Sequence, residues 1–371
     1  MKILLIGSDE NVFDSLSPVR HRLEKYASQV EHITSMIASK KPREEVVEEK
    51  YNIVPVYGKN RVITFFRMLS RAKKIKDIDM VSGRDTGFLG LIGYFVAKHL
   101  GAKFHLQIHT EVSNKAYTKG LRGFVQWQIA KFLIPRADGI RTVSRKIITD
   151  LEKKGVKIKA KVNVLPIYVR PTDDEGERIE DPVGFYEFRK RHDVNMLIMS
   201  RLEVEKGVME GLEIFADVLT KKTNLGIVVV GSGTEKNKLE KFVKEKNMSD
   251  HVMFYDWTTT PSYFYRKSDI LWLNSAFEGY GMTIIEAGLF GCPVLSTKVG
   301  VATEVIKDGE NGYLYDVGDT KKVKEILMNI ADNPETVKLM KGKVISNTNV
   351  INYADENDYV SKIAEDWKTL V

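Results

Sequence analysis

The chain has 371 residues, 43% of them hydrophobic and 29% charged, with a formal net charge of +7. This is the balance of a soluble globular protein large enough for two domains of ordinary size. The single cysteine, Cys292, excludes an intramolecular disulfide and suits a reducing compartment. Neither the apolar run at residues 3–6 nor the uncharged stretch 86–97 is long enough for a secretory leader or a bilayer span, so a cytoplasmic location is expected.

The charge is unevenly divided. Residues 1–170 hold 32 Lys and Arg against 16 Asp and Glu, a net of +16, and residues 171–371 carry the opposite sign at −9. Nucleic acid and an anionic membrane surface are both partners that would suit a basic half, the second implying a peripheral protein at the inner face. A solubilising spread of charge over helices such as 61–76 explains the same asymmetry.

Residues 2–6 read as a first buried parallel strand ending in Gly7, and residues 7–18 as a loop leading to a helix. Further strand-like runs fall at 30–36, 53–56, 79–82, 104–108, 139–143 and 161–165. Amphipathic helix patterns lie between them at 62–75, 88–100, 120–133 and 145–153. Such alternation predicts a doubly wound parallel sheet whose ligands bind at the carboxyl ends of the strands.

His109 follows one of these strands in Leu106-Gln-Ile-His-Thr-Glu111, where it serves either as a site residue or as a hydrogen-bonded structural one. Arg84 and Asp85 end the preceding strand and either reach the same cleft or form a turn with a local ion pair. Asp77-Ile-Asp79 has the form of a metal-binding D-x-D, but stands at the start of its strand and reads as chance. Between 115 and 136, Lys115, Lys119, Arg122, Lys131 and Arg136 alternate with Tyr117, Leu121, Phe124, Trp127 and Phe132. That pattern fits a helix at a lipid interface, and equally a packed helix with a basic outer face. Residues 172–181, acidic and turn-rich, read as a linker.

The second half repeats the alternation, with strands expected at 195–200, 226–230, 252–255, 270–273, 294–296 and 312–315. Helices are expected at 207–219, 236–245, 281–289, 321–330 and 334–340. A last helix spans 353–371, with Val360, Ile363, Ala364 and Trp367 as its apolar face. Arg201 and Lys206 are two cations after the first of these strands, with Gly207 opening a helix; together they suit a diphosphate, whereas a solvated loop pair fits one cation better than two beside a glycine. Gly231 and Gly233 in Val228-Val-Val-Gly-Ser-Gly-Thr234 allow close backbone access to a ligand or make a simple strand-to-helix turn. Lys236 stands where a dinucleotide fingerprint needs its third glycine, which argues against a nicotinamide oxidoreductase.

The most informative stretch is Phe277-Glu-Gly-Tyr-Gly-Met-Thr-Ile-Ile-Glu-Ala287. Gly279 and Gly281 permit a tight turn from a buried strand into a helix that stops at Gly291 before Pro293. Loop amides and a helix amino terminus hold a phosphate, and Glu278 and Glu286 beside them accept from vicinal hydroxyls. The residues by themselves therefore fit a phosphorylated, hydroxyl-rich ligand, or a plain strand–loop–helix with two solvated acids.

With its Gly loop and the Gly-Cys-Pro-Val strand start, Glu278-x7-Glu286 resembles the signature of family-4 retaining glycosyltransferases of the GT-B fold. Arg201-Leu202 and Lys206-Gly207 resemble that family's diphosphate-holding pair. The resemblance implies two Rossmann-like α/β domains facing each other across a cleft. Residues 1–170 would bind the acceptor, residues 171–352 the nucleotide-sugar, and the helix 353–371 would cross back to the first domain. It implies that Glu286 binds the ribose, Glu278 the transferred sugar, and Arg201 and Lys206 the diphosphate. Gly231, Gly233, Gly279, Tyr280, Gly281, Met282 and Thr283 would line the donor site, and His109 would approach the sugar from the first domain. The implied activity is hexose transfer from a nucleotide-sugar to a glycan or lipid-linked acceptor, with no metal and no cofactor. Two features depart from the family pattern: Gly7-Ser-Asp-Glu10 replaces the first-domain glycine pair, and Val301 replaces the second glycine of the loop 297–304. A nucleotide-sugar epimerase of the same architecture is an alternative. So is a non-catalytic nucleic-acid-binding protein, although no helix-turn-helix or single-strand motif supports nucleic acid as a partner.

Overall fold

A computed structural model of the chain describes residues 1–169, 182–343 and 353–371; the expected linker, 172–181, lies outside the described residues. The chain forms two compact units, one of Met1–Tyr168 with Asn352–Val371, the other of Val169–Ile351. The first boundary falls two residues before the expected one.

The first unit is built on an eight-stranded sheet. Its strands are β1 (Lys2–Gly7), β2 (His32–Ser39), β3 (Val46–Val47), β4 (Tyr51–Tyr57), β5 (Met80–Gly83), β6 (Lys103–Ile108), β7 (Gly139–Thr142) and β8 (Lys161–Val164), in the spatial order β3-β4-β2-β1-β5-β6-β7-β8. All pairings are parallel except that of the two-residue edge strand β3 with β4. Ile3–Ile6 are buried, as a central strand covered on both faces requires. The helices are α1 (Pro18–Ser28), α2 (Arg61–Ala72), α3 (Phe88–Leu100), α4 (Gly120–Leu133) and α5 (Arg145–Lys153). Ser17 caps α1 through the amide of Arg20, with Pro18 at the first helical position, and Asn60 caps α2 through the amide of Ile63.

The second unit holds a six-stranded, all-parallel sheet of β9 (Val194–Met199), β10 (Leu225–Val230), β11 (Val252–Tyr255), β12 (Ile270–Leu273), β13 (Val294–Thr297) and β14 (Gly312–Tyr315), ordered β11-β10-β9-β12-β13-β14. Every residue of β9, β10, β12 and β13 is buried. Around the sheet lie α6 (Phe185–Lys190), α7 (Val208–Leu219), α8 (Lys236–Glu245), α9 (Pro261–Lys267), α10 (Met282–Leu289), α11 (Ala302–Val305), α12 (Thr320–Asp332) and α13 (Pro334–Met340). The short α6, α9 and α11 carry too few turns for a periodic signal and were not expected.

The last helix, α14 (Glu356–Lys368), belongs to the first unit and packs beside α1. Val360, Ile363, Ala364 and Trp367 are its buried stripe, as their spacing predicts. Val360, Ile363 and Trp367 join Leu23, Ala27 and Ile33 in one core, with Tyr26 edge-on to Trp367 at 5.4 Å. A polar latch adds to the apolar one: Asp366 accepts from Asn163 Nδ2 and lies 3.0 Å from His105 Nε2.

Candidate functional site

In the second unit β9 and β12 are neighbours, so the loops leaving their carboxyl ends emerge side by side at the sheet's switch point. The loop after β9 passes through Arg201 and a single 3-10 turn, Val204–Lys206, into Gly207, whose φ is +64°. A Cβ there would lie 2.2 Å from the carbonyl oxygen of Asn274, so the close approach of the two loops requires glycine.

Several hydrogen bonds hold the loops together. Asn274 Nδ2 donates to the Gly207 carbonyl at 2.9 Å, and Asn274 Oδ1 accepts from the Tyr315 hydroxyl at 2.7 Å. That hydroxyl accepts from the Trp272 indole at 2.9 Å, and the Ala276 amide donates to the Glu205 carbonyl at 2.9 Å. Lys206 is thereby delivered to Glu278: its Nζ donates to Glu278 Oε1 at 2.7 Å, with the two side chains only 14% and 10% exposed. Ser275 Oγ donates to the same carboxylate oxygen at 2.7 Å.

Arg201 behaves differently. Its guanidinium is 66% exposed and donates to Glu205 at 3.1 Å, a surface pair of little energetic weight that a ligand can displace cheaply. The loop after β10 crosses beneath this segment. A Cβ at Gly231 would lie 2.0 Å from the Ser200 carbonyl oxygen, and Leu202 donates to the Ser232 carbonyl at 2.8 Å. Both Gly231 and Gly233 thus serve loop crossing, whatever they do for a ligand.

Gly279 and Tyr280 connect β12 to α10, which starts after Gly281 with no side-chain cap. Tyr280 is buried, Met282 is exposed and Thr283 half-buried. The Tyr280 carbonyl accepts from the amide of Val301, whose side chain is fully buried, so the residue that replaces a glycine is a packing contact here. Glu286, one turn into α10, accepts from the Tyr265 hydroxyl at 2.7 Å. Burial holds its carboxyl above the ordinary carboxylate range, against the lowering effect of that hydroxyl. Tyr265 itself is kept protonated by burial and by Glu286. It comes from the unexpected α9 and stacks on Phe290 at 5.9 Å, so sequence reading could not have paired it with Glu286.

Lys206 and Glu278 are therefore brought together, Arg201 stands on the same loop as Lys206, and Glu286 is held separately by Tyr265. Cys292 is buried, and burial pushes its thiol up to about 12, which makes it a packing residue and not a nucleophile at neutral pH.

In the first unit His109 follows β6, with Nε2 2.9 Å from Gln107 Oε1. Burial first, then the nearby Arg141 and Arg84, hold it well below its usual range, so it is a neutral imidazole at physiological pH. Asp85 Oδ1 accepts from the amides of Gly87 and Gly90 at 2.8 and 3.0 Å and so caps α3; it forms no turn-local pair with Arg84, which lines the cavity containing His109. Asp79 accepts from the Lys2 amide at 2.6 Å, a structural role.

Residues 187–345, most of the second unit, match the family model of glycosyl transferases group 1. The fold is GT-B: the chain superposes on a sucrose-phosphate synthase from Thermosynechococcus elongatus with a TM-score of 0.74 at 15% identity, covering 100% of this chain and 99% of that one. HepE of Anabaena in complex with UDP gives 0.72 at 15% identity with full coverage of both chains. In sequence the chain is 24% identical to an N-acetyl-alpha-D-glucosaminyl L-malate synthase of Bacillus anthracis over 212 residues, 56% of this chain and 54% of that protein. It is also 24% identical to an alpha-monoglucosyldiacylglycerol synthase of Streptococcus pneumoniae over 262 residues, 68% of this chain and 58% of that protein. The chain thus spans a little over half the length of these relatives.

Proposed function

We propose that the protein is a retaining glycosyltransferase of family 4 that moves a hexose from a nucleotide-sugar to an acceptor hydroxyl. The observation that carries this reading is the Lys206–Glu278 pair, locked where the loops after β9 and β12 meet, with Arg201 on the same loop and α10 opening beside it. A cation for the leaving diphosphate and a carboxylate for sugar hydroxyls are there in contact. Arg201, Lys206 and the amides around Gly281–Thr283 hold the diphosphate and stabilise the charge that develops on it as the glycosidic bond breaks. Glu286 accepts from the ribose hydroxyls, and Tyr265 orients its carboxylate. The first unit binds the acceptor, and His109, being neutral, meets the sugar through hydrogen bonds and not through charge. Fold neighbours solved with UDP support a nucleotide-sugar donor, and no metal ion is called for in this reading.

Glu286 offers the direct test. A thermal-shift screen over UDP-, GDP-, ADP- and TDP-sugars should find a donor that raises Tm, because only the folded state binds it. Glu286→Ala should abolish the shift. The ionised carboxylate is the form that accepts from ribose, and its pKa is raised in the fold. Donor affinity should therefore fall on acidification at a pH above that at which an ordinary carboxylate protonates. An undiminished shift in Glu286→Ala, or affinity flat with pH, rules the ribose assignment out.

The acceptor in this reading is lipid-linked or part of a surface polysaccharide, and the first unit carries a face suited to an anionic membrane. Among the described residues no helix is long and apolar enough to cross a membrane. α3 packs between α2 and α4. Val62 and Phe66 of α2 and Leu121 and Phe124 of α4 are exposed, Leu121 by 81%, among exposed Arg61, Arg67, Lys119 and Arg122. A basic outer face on an ordinary packed helix does not account for apolar side chains turned outward. Binding to phosphatidylglycerol-containing vesicles should weaken as salt rises, and by about tenfold in the Leu121→Asp, Phe124→Asp double variant. Binding that ignores both changes excludes this face.

A further inference from the structure

The first unit has a partly open cavity of about 280 Å³ between its sheet and the helices α1 and α14. Arg22, Arg84 and Arg141 line it, and among the described residues Asp9 is the one carboxylate that does so. Arg141 is the unusual member: it lies in the middle of β7 and is only 4% exposed. Among the described residues its guanidinium pairs with no carboxylate: it donates to Gln107 Oε1 at 3.3 Å, the Leu165 carbonyl at 3.3 Å and the Tyr359 hydroxyl at 2.9 Å, and lies 5.7 Å from the centre of the Tyr359 ring. Its Nε has no hydrogen-bond partner among the described residues. The nearby carboxylate of α14, Asp366, is engaged by His105 and Asn163 instead.

A second buried donor, on the helical wall, is also unmatched. Trp367 is 1% exposed, and its indole Nε1 has no partner among the described residues. A guanidinium cannot shed its charge, and a buried cation without a counter-ion is unfavourable unless something supplies one. The lining therefore holds three guanidinium groups against one carboxylate, with two buried N–H donors that have no partner among the described residues.

We propose that this cavity binds a small phosphate monoester. Such a group brings close to two negative charges and three strong acceptor oxygens, which match the charge excess and the unmatched donors, and planar guanidinium groups suit it. His109 lines the same cavity, so the inference rests on the reading of the first unit as the acceptor side and names a ligand class for it. The donor-site tests address residues of the other unit, so the two can fail separately.

The test is calorimetric titration of the full chain, at constant ionic strength and without nucleotide, with inorganic phosphate, glycerol 3-phosphate and malonate. Glycerol 3-phosphate should bind, inorganic phosphate more weakly and malonate least. Binding should change the tryptophan fluorescence, and Trp367→Phe should remove that change. Arg84→Gln, at an exposed position, and Arg141→Met should each weaken binding about tenfold, and Asp9→Asn should not weaken it. Arg84→Gln keeps the test decisive if the buried Arg141→Met variant does not fold. No binding of either phosphate, a preference for malonate, or affinity unchanged in Arg84→Gln overturns the proposal.

Discussion

Lys206→Met is expected to lower kcat by about a hundred- to a thousandfold, the usual cost of removing a preorganised group that meets developing charge. Lys206 is held by Glu278 at 2.7 Å in a setting where both side chains are largely out of water, so in the proposed reading its position requires no reorganisation to meet a diphosphate. The same substitution leaves Glu278 with only the Ser275 hydroxyl on that oxygen, and loss of one partner of a partly buried pair should also lower stability by about 1–3 kcal/mol. The two effects separate in the double variant Lys206→Met, Glu278→Gln, which should regain stability and not turnover. Lys206→Arg keeps the charge but not the compact ammonium geometry and should recover activity only in part. Arg201→Met should cost less, about tenfold, because that side chain is exposed and its pairing with Glu205 is a surface contact. Steady-state kinetics across the four variants decides this; a Lys206→Met enzyme with wild-type kcat removes Lys206 from the chemistry.

Gly207→Ala is expected to destabilise the protein by about 3–5 kcal/mol, several times the cost of Gly101→Ala. The two glycines have nearly the same φ, +64° and +66°, so the conformational strain of an alanine is shared, about 1 kcal/mol each. Their surroundings differ. A Cβ at Gly101 meets nothing within 4 Å, whereas at Gly207 it meets the Asn274 carbonyl oxygen at 2.2 Å. The loops must separate, which breaks the Asn274–Gly207 hydrogen bond and moves Lys206, its immediate neighbour. Activity should fall by about a hundredfold, as a displacement of an ångström at a positioned group can cause. Denaturant titration of both variants, with hydrogen exchange on β9 and β12, measures the difference. Equal losses for the two substitutions would show that the close approach of the loops contributes nothing.

Much of the architecture was legible because it is local. Residues 3–6, 196–199 and 227–230 are continuous apolar runs, and that pattern is what a strand covered on both faces looks like in sequence. The helices α3, α4, α5 and α8 fall where their periodicity puts them. The two-residue strand β3 was not legible, because it exists only through antiparallel pairing with β4. An expectation about Arg84 and Asp85 also gave way: the carboxylate found two backbone amides at the start of α3, which are closer partners than its neighbouring side chain.

By itself the sequence determined the alternation of strands and helices, the glycine-marked loops, the cations after β9 and the glutamates around the turn into α10. These depend on residue type and on spacings shorter than one element. Only the tertiary structure decided who meets whom. Lys206 reaches Glu278 across 72 residues because the sheet order sets β9 beside β12, and His105 meets Asp366 across 261 because α14 returns to the first unit. Tyr265 on Glu286, and a buried Arg141 on the Tyr359 hydroxyl, arise in the same way. A spacing in sequence sets which face of an element a side chain occupies; the order in which strands assemble sets what stands opposite, and no local pattern encodes that order.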